Sequence, residues 1–266
     1  MVLARISTSH ASGQESLPVL RAWSLPSLVH GFMTRDGGVS HGSYRSLNLS
    51  DTVGDDPFAV TENWRRWHAI FPHIGVVRLQ QVHGNRVHRI EFDSGERRIG
   101  DGLVTAEPGI VLAIFTADCV PVLMVDGERR VCGAVHAGWR GTLAGIAAEG
   151  VNAIAELGAR PDHLRVALGP SIGGCCFEVD EELADSFVSE VPVAAASCRA
   201  SRRGKKYLDL RAILRSQFLK AGVASDSIIN VGPCTRCNSH RFFSRRAAGS
   251  APTGLQMSFV GFEVEQ

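Results

Sequence analysis

The chain has 266 residues and a mass of 28.6 kDa, which is enough for one large domain or two small ones. Its hydrophobic content of 44% and charged content of 21% are near globular averages, and they exclude a disordered, collagen-like or coiled-coil chain. Because 28 Lys and Arg face 27 Asp and Glu, no overall field attracts nucleic acid or an acidic membrane, and we expect neither as a partner.

The N-terminal segment, residues 1–16, lacks the apolar core of a secretory signal. The most apolar stretch, residues 109–125, is interrupted by Asp118 and Pro121 and is too short for a membrane span. Seven scattered cysteines fit free thiols in a reducing compartment better than a disulfide framework. We therefore expect a cytoplasmic protein.

Apolar periodicity predicts four helices. The first spans residues 57–71, because an Asp pair can cap its start and Pro72 ends it. The other predicted helices cover residues 141–158, 181–188 and 209–221.

Predicted strands outnumber helices. Apolar or alternating runs indicate eight of them, at residues 75–79, 86–92, 109–115, 120–125, 131–135, 164–168, 228–231 and 257–262. Around Asp126-Gly127 two strands follow each other too closely for a helix, which predicts a hairpin. We therefore expect an α+β fold of α/β type: a single domain of mixed β-sheets flanked by helices, with the site at strand ends.

Three apolar strands end in a residue that can bind a metal or act as a nucleophile: His83, Cys119 and His136. Rigid strands aim such side chains, and the neighbouring small residues let a ligand approach closely. Imidazole and thiolate both bind Zn²⁺, and three protein ligands leave a fourth position open, as in a catalytic site. Each residue also has an ordinary structural interpretation, since a buried thiol is often inert and a single His often only donates a hydrogen bond.

Two glycine-containing loops could bind an anion or a sugar. Gly138 and Arg140 lie where the third of these strands turns into a helix, and free backbone N–H groups with an arginine suit phosphate there. Arg35 and Asn48 belong to the other loop region and could contact phosphate, ribose or base. Tight packing and an ordinary surface turn would explain the same glycines.

The remaining cysteines form two sequence pairs. Cys234-x-x-Cys237, with His240 nearby, resembles half of a zinc ribbon, but no second pair follows at ribbon spacing. The adjacent Cys175 and Cys176 are interpreted as packing residues beside a glycine-rich turn.

These motifs together resemble the laccase-domain, YfiH-like family, which was once labelled multicopper polyphenol oxidase and later assigned purine nucleoside phosphorylase activity. The matches run in order from about residue 30 to the C-terminus, and the two that contain Cys119 and His136 are highly specific. They are Thr34-Arg35-Asp36-Gly37-Gly38-Val39-Ser40, Leu47-Asn48-Leu49, Gln81-Val82-His83-Gly84, Asp101-Gly102, Thr116-Ala117-Asp118-Cys119-Val120-Pro121, His136-Ala137-Gly138-Trp139-Arg140-Gly141, Gly169-Pro170-Ser171-Ile172, and Cys234-Thr235 with Phe242-Phe243-Ser244.

The resemblance implies a variable N-terminal segment over residues 1–20 and a single catalytic domain over residues 21–266. It implies a zinc ion bound by His83, Cys119 and His136; a single copper ion on the same three residues is the alternative metal. It also implies phosphorolysis of adenosine, inosine, guanosine or methylthioadenosine, with adenosine deamination in addition, so that the partners are a purine nucleoside and phosphate. Trp64 and Leu255 stand where the family pattern has arginine.

The chemistry assigns further roles within this reading. Zinc lowers the pKa of a bound water towards about 7, which suits attack on the purine C6 in deamination. In phosphorolysis, Arg35, Arg140 and the helix N-terminus would position phosphate, while the metal or a nearby donor such as Asn48 would act on the nucleoside. Asp118 and Asp101 are candidate proton carriers or partners that orient a ligating histidine.

Three alternatives remain at this stage. A multicopper oxidase needs about eight histidines, usually in His-x-His pairs, for its trinuclear cluster; none of the ten histidines here is two positions from another, so at most a single copper is expected. A Cys-His hydrolase would use Cys119 as nucleophile, with His136 or His83 as base, on a cell-wall peptide or other amide. A protein without catalytic activity could use the same pocket to sense a ligand.

Overall fold

The structure, a computed structural model, describes residues 3–7, 16–72, 74–191, 194–201 and 204–264. Its strands are β1 Leu3–Ser7, β2 Ser16–Leu20, β3 Leu28–Met33, β4 Gly75–Gln80, β5 Val87–Arg89, β6 Arg98–Ile99, β7 Gly102–Thr105, β8 Ile110–Thr116, β9 Val120–Asp126, β10 Val131–Ala137, β11 Arg165–Leu168, β12 Glu178–Asp180, β13 Cys198–Ala200, β14 Lys205–Leu208, β15 Ile228–Asn230 and β16 Gln256–Phe262. Its α-helices are α1 Pro57–Ile70, α2 Trp139–Leu143, α3 Ile146–Glu156, α4 Glu181–Glu190, α5 Ala194–Ser197, α6 Leu210–Lys220 and α7 Arg245–Ala248.

The strands form three sheets, two of them large. The first large sheet has the order β1-β2-β3-β16-β8-β4-β6, and the second has the order β15-β11-β9-β10-β7-β5. Both contain parallel and antiparallel pairs, and β12, β14 and β13 form a small third sheet. The predicted single domain of mixed sheets flanked by helices is confirmed.

The molecule is built in layers, because each large sheet is apolar on both faces. Inner-face residues such as Leu112 of β8 and Leu123 of β9 pack against each other between the two sheets. Trp67 of α1 covers the outer face of the seven-stranded sheet, while α3 and α6 cover the six-stranded one. Burying one such aliphatic side chain stabilises the fold by roughly 1.5–3 kcal/mol, so these layers provide most of the stability.

The helix α1 forms as the sequence predicts. The Asp56 carboxylate accepts the N–H of Phe58 at 3.0 Å, which caps the first turn. Trp67 is fully buried on the face towards the sheet. α4 and α6 also lie within about two residues of their predicted bounds.

The predicted helix over residues 141–158 is instead two helices, α2 and α3. Gly145 has a φ of +82°, which is a left-handed conformation that interrupts the helical path. The apolar periodicity continues across the break, so periodicity alone does not reveal it.

The predicted hairpin at Asp126-Gly127 is confirmed, since β9 and β10 pair antiparallel from Val131 opposite Asp126 to Ala137 opposite Val120. The preceding connection is different in kind: β8 lies in the seven-stranded sheet and β9 in the six-stranded one, so the chain passes between the sheets at residues 117–119.

Other strands escaped prediction. β3 is fully buried beside β16, although His30 and Gly31 interrupt its apolar run. β2 pairs with β3, so the N-terminal segment contributes to the seven-stranded sheet. In the parts of the chain that are described, no helix has the length and apolar character needed to cross a bilayer.

Candidate metal centre and its cavity

The structure brings together the three residues predicted as metal ligands. His83 follows β4, Cys119 lies in the turn between β8 and β9, and His136 lies near the end of β10. One ligand atom from each residue lies within 4.8 Å of the others, and the two imidazole rings meet edge to face with centroids 4.7 Å apart. Three residues that are distant in sequence therefore form one compact set of nitrogen and sulfur donors.

Backbone strain is concentrated at this cluster. Of the four non-glycine residues with positive φ in the described chain, one is a member of the cluster, His83 at +63°, and another directly precedes Cys119, Asp118 at +92°. Such conformations cost of order 1–3 kcal/mol and persist only where surrounding contacts hold them. For His83 these contacts come from a buried carboxylate.

That carboxylate is Asp101, whose side chain is fully buried. It accepts the backbone N–H groups of Val82, His83 and Gly84 at 3.3, 2.9 and 2.7 Å. It also lies 2.8 Å from Nδ1 of His136. A single carboxylate thus fixes the turn that carries one ligand and the ring of another.

The hydrogen bond to Asp101 directs His136 towards the cluster. With Nδ1 bound to the carboxylate, Nε2 is the nitrogen left to bind a metal. Burial would raise the pKa of Asp101, but the hydrogen bonds from His136 and Gly84 outweigh it and lower that pKa below its ordinary value. This is the carboxylate–histidine arrangement that orients metal ligands in many proteins.

Cys119 and His136 change each other's protonation. Burial would raise the pKa of the Cys119 thiol, but the neighbouring His136 and His83 outweigh burial and lower it to about 6. Burial would lower the pKa of His136, but the Cys119 thiolate and Asp101 raise it to about 9. The surroundings therefore favour the thiolate, which is the form that binds a metal.

Gly138 is required by the close packing of two ligands. A Cβ at this position would lie 2.9 Å from Cδ2 of His83 and 3.2 Å from Sγ of Cys119. The residue therefore packs directly against the ligand cluster.

Asp118, predicted as a catalytic group, is buried, and its carboxylate is bonded to groups outside the ligand cluster. Its carboxylate accepts the Thr235 hydroxyl and the N–H of Arg246, both at 2.6 Å. Its backbone carbonyl accepts the N–H of Ile172 at 2.9 Å. It therefore joins the turn that carries Cys119 to three later segments of the chain, which contain Ile172, Thr235 and Arg246.

The ligand cluster opens into a cavity of about 720 Å³, lined by His83, Cys119 and His136. This volume lies in the range of small-molecule sites. Phe115 and Leu255 contribute apolar wall. Three arginines that the sequence analysis did not select also line it: Arg78, Arg97 and Arg245.

Two of these arginines share an acidic partner. Arg97 makes a two-pronged contact with the carboxylate of Asp51, and Arg78 lies 3.7 Å from the same carboxylate. Arg78 also stacks on the Trp64 ring at 4.9 Å. A sequence signal did exist for Arg245, which directly follows the Phe-Phe-Ser motif, whereas Arg78 and Arg97 lie in no motif.

The four residues predicted to bind substrate lie outside the cavity lining, although Gly138 packs against two of the ligands that line it. The Arg35 guanidinium donates to the carbonyl of Ser239 at 2.7 Å and stacks over Phe243. Asn48 is fully buried, and its amide donates to the Ser50 carbonyl at 2.9 Å. Arg140 stacks on its neighbour Trp139, whose helix α2 begins at the ligand cluster.

Asn48 nevertheless shapes the cavity. Its amide donates to Asp55 at 2.9 Å, and its carbonyl oxygen accepts the N–H of Leu255 at 3.1 Å. Ser50 and Leu255 both line the cavity. Asn48 thus joins two segments of the cavity wall.

The two cysteine pairs also meet. Sγ atoms of Cys175, Cys176, Cys234 and Cys237 all lie within 4.8 Å of one another. Over the described residues, metal-ligand side chains gather in groups of three or more only here and at the triad. The interpretation of Cys175 and Cys176 as packing residues missed this convergence, because the pairs are far apart in sequence.

Comparison with known proteins gives a consistent picture. Residues 29–263 match the family described as multi-copper polyphenol oxidoreductase laccase. A purine nucleoside phosphorylase of Deinococcus radiodurans is 39% identical over 247 residues, covering 92% of this chain and 93% of that protein. Adenosine deaminase RL5, from an unknown prokaryotic organism, is 35% identical over 237 residues, covering 83% of this chain and 89% of the relative.

The crystal structure of YlmD from Geobacillus stearothermophilus has the same fold. It superposes with a TM-score of 0.85 at 33% identity and covers 98% of this chain and 100% of that one. The similarity in fold therefore extends over both large sheets.

Proposed function

The chain belongs to the multi-copper polyphenol oxidoreductase laccase family, and from this premise we propose that it is a zinc-dependent purine nucleoside phosphorylase with adenosine deaminase activity. Its substrates would be adenosine, inosine, guanosine or methylthioadenosine, with phosphate as the second substrate of phosphorolysis. Relatives named purine nucleoside phosphorylase and adenosine deaminase support the proposal. The observation that carries it is an open set of three metal ligands on a nucleoside-sized cavity that also holds arginines.

The donor set fits zinc. Two imidazoles and one thiolate are ligands that Zn²⁺ prefers, and three protein ligands leave one tetrahedral position for water or substrate. His83, Cys119 and His136 would hold the ion, with Asp101 fixing the ring of His136. Bound zinc would supply an activated water for deamination and a Lewis acid facing the nucleoside.

The chain's own residues would bind and orient the two substrates. We assign the purine to the apolar wall at Phe115 and Leu255, since a flat base gains by covering apolar surface. We assign phosphate to Arg78 and Arg97, because guanidinium groups match phosphate oxygens in bidentate contacts. Asp51 holds both arginines in place before phosphate arrives.

Phosphorolysis then depends mainly on positioning. Phosphate attacks the ribose C1′ as the bond to the purine nitrogen breaks, and the departing base carries the electron pair until it gains a proton. Holding the two reactants in line makes the step effectively intramolecular, which contributes several kcal/mol to lowering its barrier. A reducing cytoplasm would keep the Cys119 thiolate available, so we assign the protein to that compartment.

The direct test is incubation of the purified protein with each nucleoside, with and without phosphate, before and after chelation and zinc restoration. We expect adenine and ribose 1-phosphate from adenosine only with phosphate, and inosine without it. His83→Asn should abolish both activities, whereas Cys198→Ser, outside the site, should not. Absence of adenine, inosine and ribose 1-phosphate from every sample would rule the proposal out.

The position of phosphate can be tested separately. Comparing Arg78→Gln with Arg140→Gln distinguishes a phosphate site in the cavity from the site at the start of α2 that the sequence predicts. We expect Arg78→Gln to raise KM for phosphate without changing adenosine deamination. Arg140→Gln should leave KM for phosphate near that of the unmodified protein. The reverse result would move phosphate to the start of α2.

One observation favours a second candidate, a Cys-His hydrolase acting on an amide. Cys119, His136 and Asp101 are arranged as nucleophile, base and orienting carboxylate, and the thiol pKa is lowered to about 6. Iodoacetamide labelling at neutral pH separates the two. Zinc-protected Cys119, labelled only after chelation, supports the nucleoside enzyme, whereas rapid labelling without chelation and cleavage of a peptide substrate support the hydrolase.

A further inference from the structure

Four cysteines form a second cluster away from the cavity. Cys175 and Cys176 lie in the turn before β12, and Cys234 and Cys237 lie in the loop after β15. Sγ of Cys175 lies 3.8 Å from Sγ of both Cys176 and Cys237, and Sγ of Cys176 lies 3.3 Å from that of Cys237. None of the four lines the cavity or belongs to the proposed metal centre of His83, Cys119 and His136, which we call the nucleoside centre.

These separations are those of a tetrahedral thiolate site. Zinc binds cysteine sulfur at about 2.3 Å, so the sulfurs at the corners of such a tetrahedron lie about 3.8 Å apart. Two of these three separations have this value and the third is shorter, while all four sulfurs lie within 4.8 Å of one another. One ion at the centre could contact all four with small side-chain adjustments.

The surrounding backbone is shaped for this convergence. A Cβ on Gly173 would lie 3.3 Å from Sγ of Cys175 and 3.4 Å from Cβ of Cys234, so only glycine fits without displacing them. The N–H of Gly173 donates to Sγ of Cys234 at 3.3 Å. Backbone N–H groups bonded to sulfur are typical partners of metal-bound thiolates, because they stabilise the negative charge.

A nearby cation would offset part of the remaining charge. Zn²⁺ with four thiolates is dianionic, and such charge is costly unless it is compensated. The Arg236 guanidinium, between the two cysteines of the Cys-x-x-Cys pair, interacts electrostatically with Cys176 and Cys237, which raise its pKa.

We propose that Cys175, Cys176, Cys234 and Cys237 bind one structural Zn²⁺ in a four-sulfur site. The sequence has no second ligand pair at the spacing of a zinc ribbon. In the structure, a turn about sixty residues before the Cys-x-x-Cys pair supplies that second pair. With all four positions filled by protein, this ion has no place for substrate and acts on stability.

A disulfide between Cys176 and Cys237 is the competing chemistry. Their sulfurs lie 3.3 Å apart and would have to approach to about 2.05 Å. A disulfide would use two of the thiols, whereas all four converge on one point. Tetrahedral binding uses the whole arrangement.

The site would join two loops that support the nucleoside centre. Ser171 and Cys234 form a bridge between these loops. Ile172 donates its N–H to the Asp118 carbonyl, and Thr235 donates its hydroxyl to the Asp118 carboxylate. Asp118 immediately precedes Cys119, so a metal in the cysteine cluster steadies the turn that carries a ligand of the other centre.

Metal content tests the proposal without measuring activity. Protein prepared under reducing conditions, supplied with zinc and freed of excess, should contain two zinc ions per chain. His83→Asn removes a ligand of the nucleoside centre, and Asn tolerates the positive φ there. This variant should retain one zinc, and X-ray absorption should show four sulfurs at about 2.3 Å around it.

Substitutions in the cluster give the complementary result. Cys237 is exposed, so Cys237→Ser removes a ligand with little loss of packing; it should leave one zinc, with nitrogen and sulfur neighbours. Cys198→Ser, a cysteine outside both clusters, is the matched control and should retain two. Circular dichroism confirms that each variant is folded.

Two outcomes would overturn the proposal. One is that His83→Asn binds no zinc while remaining folded. The other is that mass spectrometry of anaerobically prepared protein finds Cys176 disulfide-bonded to Cys237. If the nucleoside centre bound no zinc, the unmodified protein and His83→Asn would each contain one zinc with four sulfur neighbours, so failure of the nucleoside proposal is distinguishable from failure of this one.

Discussion

Replacing Asp101 by Asn tests whether one buried carboxylate organises the nucleoside centre. Its Oδ1 accepts the N–H of His83 and faces Nδ1 of His136, while Oδ2 accepts the N–H groups of Val82 and Gly84. An Asn side chain offers one oxygen and one NH₂ group. Whichever way the amide is turned, two of these donors face another donor.

The magnitude follows from those contacts. Each buried donor left without its acceptor costs about 1–3 kcal/mol, so two of them lower the free energy of unfolding by roughly 2–6 kcal/mol. The loss falls on the turn of His83 and the ring of His136, and such orienting partners typically change metal affinity 10–100-fold. We expect the zinc affinity of the nucleoside centre to fall by this factor, with the four-cysteine site unaffected.

The assay is zinc competition against a chromophoric chelator, with chemical unfolding measured in parallel. Asp126→Asn is the matched control: Asp126 is also buried and accepts three backbone N–H groups, from Glu128, Arg129 and Arg160, but at the opposite end of β9. It should lower stability and leave zinc affinity unchanged. Equal zinc affinities for Asp101→Asn and the unmodified protein would refute the reasoning.

Three further predictions concern single residues. Burial and the charge of Arg21 lower the pKa of His30 from 6.5 to about 4, so the unfolded chain binds a proton that the folded one does not. The free energy of unfolding should therefore fall by about 3 kcal/mol as pH drops from about 6.5 to 4. Urea titrations in which His30→Gln shows the same fall would contradict this. Thr235→Val removes the hydroxyl bonded to buried Asp118 and should lower the free energy of unfolding by about 1–3 kcal/mol, while Thr235→Ser restores most of it in the same titration. Gly138 has an ordinary φ, so Gly138→Ala strains no backbone, but its Cβ crowds two ligands. Chelator competition should show zinc affinity lowered about tenfold or more with little change in melting temperature, and an unaltered affinity would contradict the close packing.

The fold was predictable where one periodicity runs uninterrupted. α1 and the β9–β10 hairpin follow from capping, turn and alternation signals within a few residues. β3 was missed because its burial depends on β2 and β16, which are distant in sequence. The break between α2 and α3 was missed because Gly145 has no side chain to mark its conformation.

The three candidate metal ligands could be selected from the sequence for a different reason. His83, Cys119 and His136 each lie at or near a strand end beside small residues, so local pattern identifies them one by one. The cavity arginines and the four-cysteine cluster depend on which loops meet, and sequence spacing carries no such information. Arg78, for example, lines the cavity although nothing in its local sequence distinguishes it.

The ligands of the nucleoside centre come from two different layers. His83 follows β4 of the seven-stranded sheet, His136 belongs to β10 of the six-stranded sheet, and Cys119 lies on the link between them. A cation bound by all three residues would link the two large sheets. Partly unfolded forms in which the sheets have separated could not bind it, so binding would stabilise the closed arrangement. The free zinc concentration would then add RT ln(1 + [Zn²⁺]/Kd) to the free energy needed to separate the two sheets.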